Sequence, residues 1–221
     1  MRYLNNPEAL LKLVASMQSG FMNTLTIFFA TLLFSLPLGM VIALLRMNRH
    51  RAVSMPVSAY ILIMRGTPLM LQIFAIYFAN PMLVGKNLDR MAATILAFAL
   101  NYAAYFAEIF RGGMMSIPVG QHEASQVLGL TKAQTFFHIV LPQLVRRVLL
   151  PVSNEVITLV KDTSLARVII VAEIFYVNET FILSKSIVWP LFYIGVFFLV
   201  FVGALTLLFR FLEKKLSYYN I

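Results

Sequence analysis

Arg65, Glu108, Glu155, Lys161 and Asp162 fall inside, or at the edge of, stretches otherwise apolar enough to lie in a bilayer. An ionisable group at that depth is costly, so it faces a cavity, a water-filled path or an opposite charge. Asn101, Tyr105 and Glu108 follow i, i+4, i+7 spacing, which puts them on one face of a helix. The chemistry open to such a set is binding: Arg65, with backbone amides exposed around Gly66 and Pro68, can donate to an anionic group, and Glu108 or Asp162 can accept from a cationic one. Thr67, Thr163 and Ser164 add hydroxyls on either side. Two plainer readings stand beside this one, an Arg65–Glu108 pair that ties two helices, and Asp162 capping a short helix through Thr163 and Ser164. The Thr67–Pro68 step is predicted to break its helix, because proline lacks the N–H that would serve the carbonyl of Met64. Broken helices of this kind are found near transporter binding sites.

Catalytic sets are missing from the sequence. His122-Glu123-Ala124-Ser125-Gln126 begins like a zinc-protease helix but ends in Gln126, so the second metal ligand on that face is lost. The chain has no Gly-x-x-x-x-Gly-Lys-Ser/Thr loop to cradle nucleotide phosphates and no Gly-x-Ser-x-Gly elbow. With no cysteine, thiol catalysis and thiolate-held metals are excluded. His50 and His138 stand isolated, and Asn178-Glu179-Thr180 matches a glycosylation sequon. The expectation is a chain with no catalytic residues, no metal and no cofactor of its own.

The elements that position these residues follow from composition. Of 221 residues, 60% are hydrophobic and 12% charged, with a formal net charge of +9 and a mean hydropathy of +0.83. A soluble, disordered or disulfide-held domain is excluded, and the positive charge fits lipid headgroups better than nucleic acid. A bilayer-crossing helix needs about 20 mostly apolar residues, and walking between charges gives five: about 20–45, 57–80, 90–111, 143–161 and 187–212. The fold class is therefore an all-α polytopic membrane protein, a single domain over 20–215 with a short tail at 216–221. Residues 1–19 are not expected to form a cleavable signal; Leu10, Leu11, Leu13, Val14 and Met17 recur at helical spacing, as in an interfacial helix. Ten Lys and Arg, including Arg46, Arg49 and Arg51, fall on one side of the five spans and seven on the other, so the N-terminus is placed outside and the C-terminus in the cytoplasm. Ser35, Gly39 and Ala43 in the first span and Ala99, Ala103 and Ala107 in the third leave faces on which backbones can approach closely.

The connection between the third and fourth spans, 112–142, is long for a compact membrane domain. Ala124, Val127 and Leu128 share a face of one short helix, Gly129 interrupts it, and a second apolar stretch runs to Pro142. Glu123-Ala124-Ser125, with Gly129 six residues on and Leu141-Pro142 closing the segment, resembles the EAA loop of bacterial ABC importer permeases, Ser125 standing where that pattern has a second alanine. Arg65-Gly66-Thr67-Pro68-Leu69, Glu108-Ile109-Phe110-Arg111-Gly112-Gly113, Leu141-Pro142-Gln143 and Lys161-Asp162-Thr163-Ser164-Leu165 narrow the resemblance to the permeases of polar amino acid importers, over about residues 20–212.

The resemblance implies a type I ABC importer permease fold in the bacterial inner membrane. It implies that Glu123, Ala124, Ser125, Gly129, Leu130 and Pro142 couple the spans to a separate ATPase, which binds ATP and Mg. A second permease copy or a related permease, and an external solute-binding protein, are the further partners. Arg65, Thr67, Asn101, Tyr105, Glu108, Asp162, Thr163 and Ser164 are then the expected path for a polar amino acid. The alternative class is an ion-coupled carrier or channel subunit without an ATPase.

Overall fold

A computed structural model describes residues 7–85, 87–185 and 189–216. The elements in chain order are α1 (Pro7–Arg46), α2 (Arg51–Gly66), α3 (Leu69–Val84), α4 (Arg90–Met115), α5 (Val119–Val127), α6 (Lys132–Gln134), α7 (Leu141–Asp162), α8 (Ile174–Lys185) and α9 (Trp189–Leu216). A π-helical turn, Thr135–Val140, joins α6 to α7, and a 3-10 segment, Thr163–Ile169, follows α7. Among the described residues there is no strand. Four stretches are long and apolar enough to cross a membrane, and α2 with α3 makes a fifth if the bent pair is one span.

The core lies where α4 meets α1. Gly39 sits so close to α4 that an added Cβ would come within 2.8 Å of Phe106 Cβ and 3.1 Å of the Ala103 carbonyl oxygen. Ser35, Ala43, Ala103 and Ala107 are fully buried at this crossing, so the two small-residue faces, each expected to admit a close backbone, pack against each other. Two-thirds of the α4 window (67%) is buried against 6% for α9, so α4 is the central post and α9 an outer face for lipid. Asp89 starts α4 by accepting from the amides of Met91 and Ala92 at 2.9 and 3.2 Å. At its other end Gly113 lets Leu144 and Val148 of α7 pack against the backbone.

Two features differ from the sequence expectation. First, α1 runs unbroken from Pro7, so residues 7–19 continue the first helix; the side chains of Leu10, Leu11, Leu13 and Val14, and the tail 217–221, lie outside the described residues. Second, the stretch between the fourth and fifth spans is not a plain loop. It holds the 3-10 segment and α8, which docks on α1: Asn23 donates to the Ala172 carbonyl at 2.8 Å and the Thr24 hydroxyl accepts from the Ile174 amide at 3.1 Å. The fully buried Glu173 accepts from the amides of Phe175 and Tyr176 and so caps α8. Periodicity gave no signal here because the polar residues Asn178, Glu179 and Thr180 of α8 fall at consecutive positions, around the helix instead of along one face. The turn into it uses Ile170 at φ 63°, a left-handed conformation that a β-branched residue rarely adopts. Asn178 of the sequon is buried inside α8.

Gly39→Leu is expected to destabilise the protein by about 1–3 kcal/mol through overpacking. Gly203→Ala, which meets nothing within 4 Å, is expected to be neutral. Thermal unfolding followed by size-exclusion fluorescence in detergent compares the two.

Candidate functional site

The break in the second span organises the polar residues. α2 ends at Gly66 and α3 begins at Leu69 at an angle of 110° to it. Pro68 has no N–H to offer, so the Met64 carbonyl loses its helical donor. Two side chains replace it: Gln72 Nε2 and Asn101 Nδ2 each donate to the Met64 oxygen at 2.9 Å. Gln72 also donates to the Thr67 carbonyl and hydroxyl at 3.1 and 2.9 Å, and its own oxygen accepts from Asn101 at 3.0 Å. Thr67 Oγ donates back to the Ile63 carbonyl at 2.8 Å. Asn101 and Thr67 therefore hold the corner together. Gln72 was not anticipated; its signal was a lone amide four residues after the helix-breaking proline.

Below the corner, α1, α2 and α4 enclose an open cavity of about 430 Å³ lined by Arg46, Ser58, Arg65, Gly66, Tyr105 and Glu108, with Ile61 and Leu62. Arg65 lies over the Tyr105 ring, 5.2 Å from its centroid, a cation–π contact that leaves the guanidinium donors facing the cavity. The Arg65–Glu108 tie that the sequence allowed does not form. Glu108 pairs instead with Arg111 one turn on, Oε2 to Nη2 at 2.7 Å, with a further Nε contact at 3.1 Å. Arg65, Tyr105 and Glu108 thus share one cavity, while Asn101 is buried behind it.

Asp162, Thr163 and Ser164 belong to a second cluster at the end of α7. Asp162 accepts a 2.7 Å hydrogen bond from Tyr102, which is buried on α4. It makes no side-chain cap to the 3-10 segment; Thr163 and Ser164 spend their hydroxyls on the Val160 and Lys161 carbonyls at 2.7 and 2.8 Å. The capping alternative is therefore not realised. Glu155, two turns before Asp162, lies within electrostatic range of both Asp162 and Arg65, linking the two clusters. Tyr102 was missed because it stands one residue off the Asn101–Tyr105–Glu108 stripe, on the flank that faces α7.

The long connection is folded. α5 ends in a Schellman motif: Gly129, at φ 71°, donates to the Gln126 carbonyl at 2.9 Å, and the Leu130 amide reaches back to the Ser125 carbonyl at 3.0 Å. Thr131 then opens α6 with a capping box to Gln134. Ser125 is buried, and its hydroxyl accepts from Thr135 at 3.1 Å, pinning α5 to the π turn. The turn is widened because Pro142 has no N–H and its ring crowds the carbonyl four residues back, so the Leu141 amide bonds to Phe136 instead. Arg147 of α7 clamps the base of the loop by donating to the Ser116 carbonyl at 2.7 Å. Glu123 and Ala124 are exposed, as are Val119, Val127 and Leu128. The result is a rigid projection that presents an apolar patch with an acid beside it.

A bent, polar-lined span inside a helical bundle, with a capped projection between two spans, defines a membrane transport component. The model of the binding-protein-dependent transport system inner membrane component family matches residues 35–218, and the chain belongs to that family. It is 38% identical over 159 residues to the L-cystine transport system permease protein TcyB of Bacillus subtilis (strain 168), covering 72% of this chain and 68% of that one. It is 36% identical over 172 residues to the probable amino-acid ABC transporter permease protein YckA of the same organism, 78% of this chain and 76% of that one. Its fold is similar to a crystal structure of an amino acid ABC transporter with histidines, with a TM-score of 0.82 at 28% identity over 95% of this chain and 98% of that one.

Gln72→Leu removes the side-chain donor to the Thr67 carbonyl, one of the two donors to Met64 and one of the two acceptors of the Asn101 amide. Each buried polar group left unpaired costs about 1–3 kcal/mol, so a lower melting temperature is expected. Equal melting temperatures for the wild type and Gln72→Leu would show that the corner is held by other contacts.

Proposed function

We propose that this chain is the transmembrane subunit of an ATP-driven importer that moves a polar amino acid across the inner membrane by alternating access. The observation that carries this reading is the capped projection from α5 to Pro142. A helix pair held by a Schellman motif, a capping box and a buried Ser125–Thr135 bond, yet exposing Val127 and Leu128, is suited to seat in another protein and transmit force. Glu123, Ala124, Ser125, Gly129, Leu130 and Pro142 are its coupling residues. The partner there is a separate ATPase that binds ATP and Mg; this chain contributes no ATPase site. Relatives named as amino acid transport permeases support the solute class.

On this reading the projection lies in the cytoplasm with the C-terminus, and the N-terminus lies outside, as the distribution of Lys and Arg favours. One chain leaves the polar face of α7 uncovered: Asn154, Thr158 and Lys161 are exposed along a membrane-embedded helix. Groups of this kind do not face lipid, so a second permease copy or a related permease closes the path. An external solute-binding protein delivers the cargo. Arg65 receives the carboxylate of the amino acid, and Glu108 or Asp162 its ammonium, with Thr67, Asn101, Tyr105, Thr163 and Ser164 shaping the path. The difference in ATPase-driven binding energy between inward- and outward-facing states moves the cargo.

Substituting Glu123 and Gly129, Glu123→Arg and Gly129→Val, is expected to abolish co-purification with the ATPase and uptake together. A non-glycine residue at φ 71° is strained whatever the space around it. Unchanged assembly and uptake would exclude the coupling role and favour a carrier or channel without an ATPase. Arg65→Ala and Glu108→Gln are expected to lower uptake about tenfold or more, as loss of a charge-assisted contact would, while assembly is kept. Loss of assembly instead would mean that these two residues serve only to hold the helices.

A further inference from the structure

Between the projection and the ends of α1 and α4 lies a second cavity, of about 310 Å³, at the lower end of the range for ligand pockets, about 300–1,000 Å³. Its inner wall is apolar: Leu44 and Met47 from the end of α1, Met114 from α4 and Phe136 from the π turn. Its outer wall is polar: exposed His122, Gln126 and Lys132 line it beside Ser125 and Thr135, whose hydroxyls are already bonded to the His122 carbonyl and to each other. A void with the exposed Lys132 cation at its rim over thioether and leucine walls matches a molecule with an anionic head and a hydrocarbon tail.

A second feature says where such a molecule comes from. Leu33, Pro37, Val41, Leu44 and Met47 are all exposed on α1 and follow one another at helical spacing. They form an apolar stripe that runs from the middle of the span directly into the cavity. The loop that follows carries Arg49 and Arg51, the kind of basic cluster that gathers anionic lipid at a cytoplasmic surface.

We infer that this cavity is a binding site for an anionic glycerophospholipid of the cytoplasmic leaflet. The acyl chain lies along the Leu33–Met47 stripe and the headgroup phosphate meets Lys132 and His122. The side of the membrane, though not the cavity, rests on the orientation given under the proposed function. Because Ser125 and Thr135 line the same cavity and pin α5 to the π turn, an occupied site braces the projection against the ends of α1 and α4.

The test is lipid retention by the purified permease complex, extracted from vesicles of phosphatidylglycerol and phosphatidylcholine in equal parts and weighed by native mass spectrometry. The wild type is expected to retain phosphatidylglycerol preferentially. Lys132→Gln, at an exposed position, is expected to weaken that retention about tenfold, as loss of one charge-assisted contact would. Met114→Trp, which fills the apolar wall, is expected to abolish it, and Leu44→Trp serves the same end if Met114→Trp does not fold. Arg49→Gln, which removes a charge outside the cavity lining, is expected to weaken retention far less than Lys132→Gln. Equal retention by the wild type and Lys132→Gln would overturn the proposal. So would a loss in Arg49→Gln as large as in Lys132→Gln, since binding would then be general surface electrostatics. ATP-dependent amino acid uptake by the same complexes is read separately: its absence with selective retention intact would sink the import reading and leave the lipid site standing.

Discussion

A carbonyl oxygen in hydrocarbon has to find a donor, and much of this protein is arranged around one such oxygen. Pro68 withdraws the amide that would have served Met64, and water cannot stand in for it inside a membrane. Gln72 and Asn101 supply the replacement. Having done so, they fix the 110° angle between α2 and α3, and that angle sets Arg65 over Tyr105 at the mouth of a cavity instead of in mid-helix. The helix break, its repair and the exposed guanidinium are one construction. Each of its members makes physical sense only with the others present.

The projection solves the same problem at the membrane's edge, with backbone caps in place of side-chain amides. A short helix in water is marginal on its own, and α5 has nine residues. The Schellman turn at Gly129 satisfies carbonyls at its C-terminal end, the capping box at Thr131 starts the next helical turn, and the clamp from Arg147 ties Ser116, at the end of α4, to α7. Stability here comes from local hydrogen bonds, which leaves the apolar side chains of Val127 and Leu128 free for a partner.

Much of this was legible in the residues. The helix break at Pro68 followed from the missing amide, the close-approach faces of α1 and α4, though not their pairing, from small residues spaced every four, and the loop from its glycine, its proline and its family resemblance. What could not be read were the choices among polar partners. Glu108 had two arginines within reach by sequence and took Arg111, because i, i+3 geometry on one helix costs less to organise than a contact between helices. Asp162 could have capped its own helix end, but Tyr102 from α4 claimed it. Gln72 and α8 were missed for a common reason: neither is marked by an amphipathic period, and each is defined by tertiary partners, Asn101 for Gln72 and α1 for α8.

The contact of Gly39 with the α4 backbone has a consequence for motion. Two rods that touch main chain to main chain, with alanines on either side, have no side-chain layer to shear, so α1 and α4 must swing as a unit. Any relative displacement during a transport cycle is then left to the looser partners, the bent α2–α3 pair on one flank and α7 with α9 on the other. The polar clusters sit along those two seams, where a change of spacing between rods would be felt first by whatever lies between them.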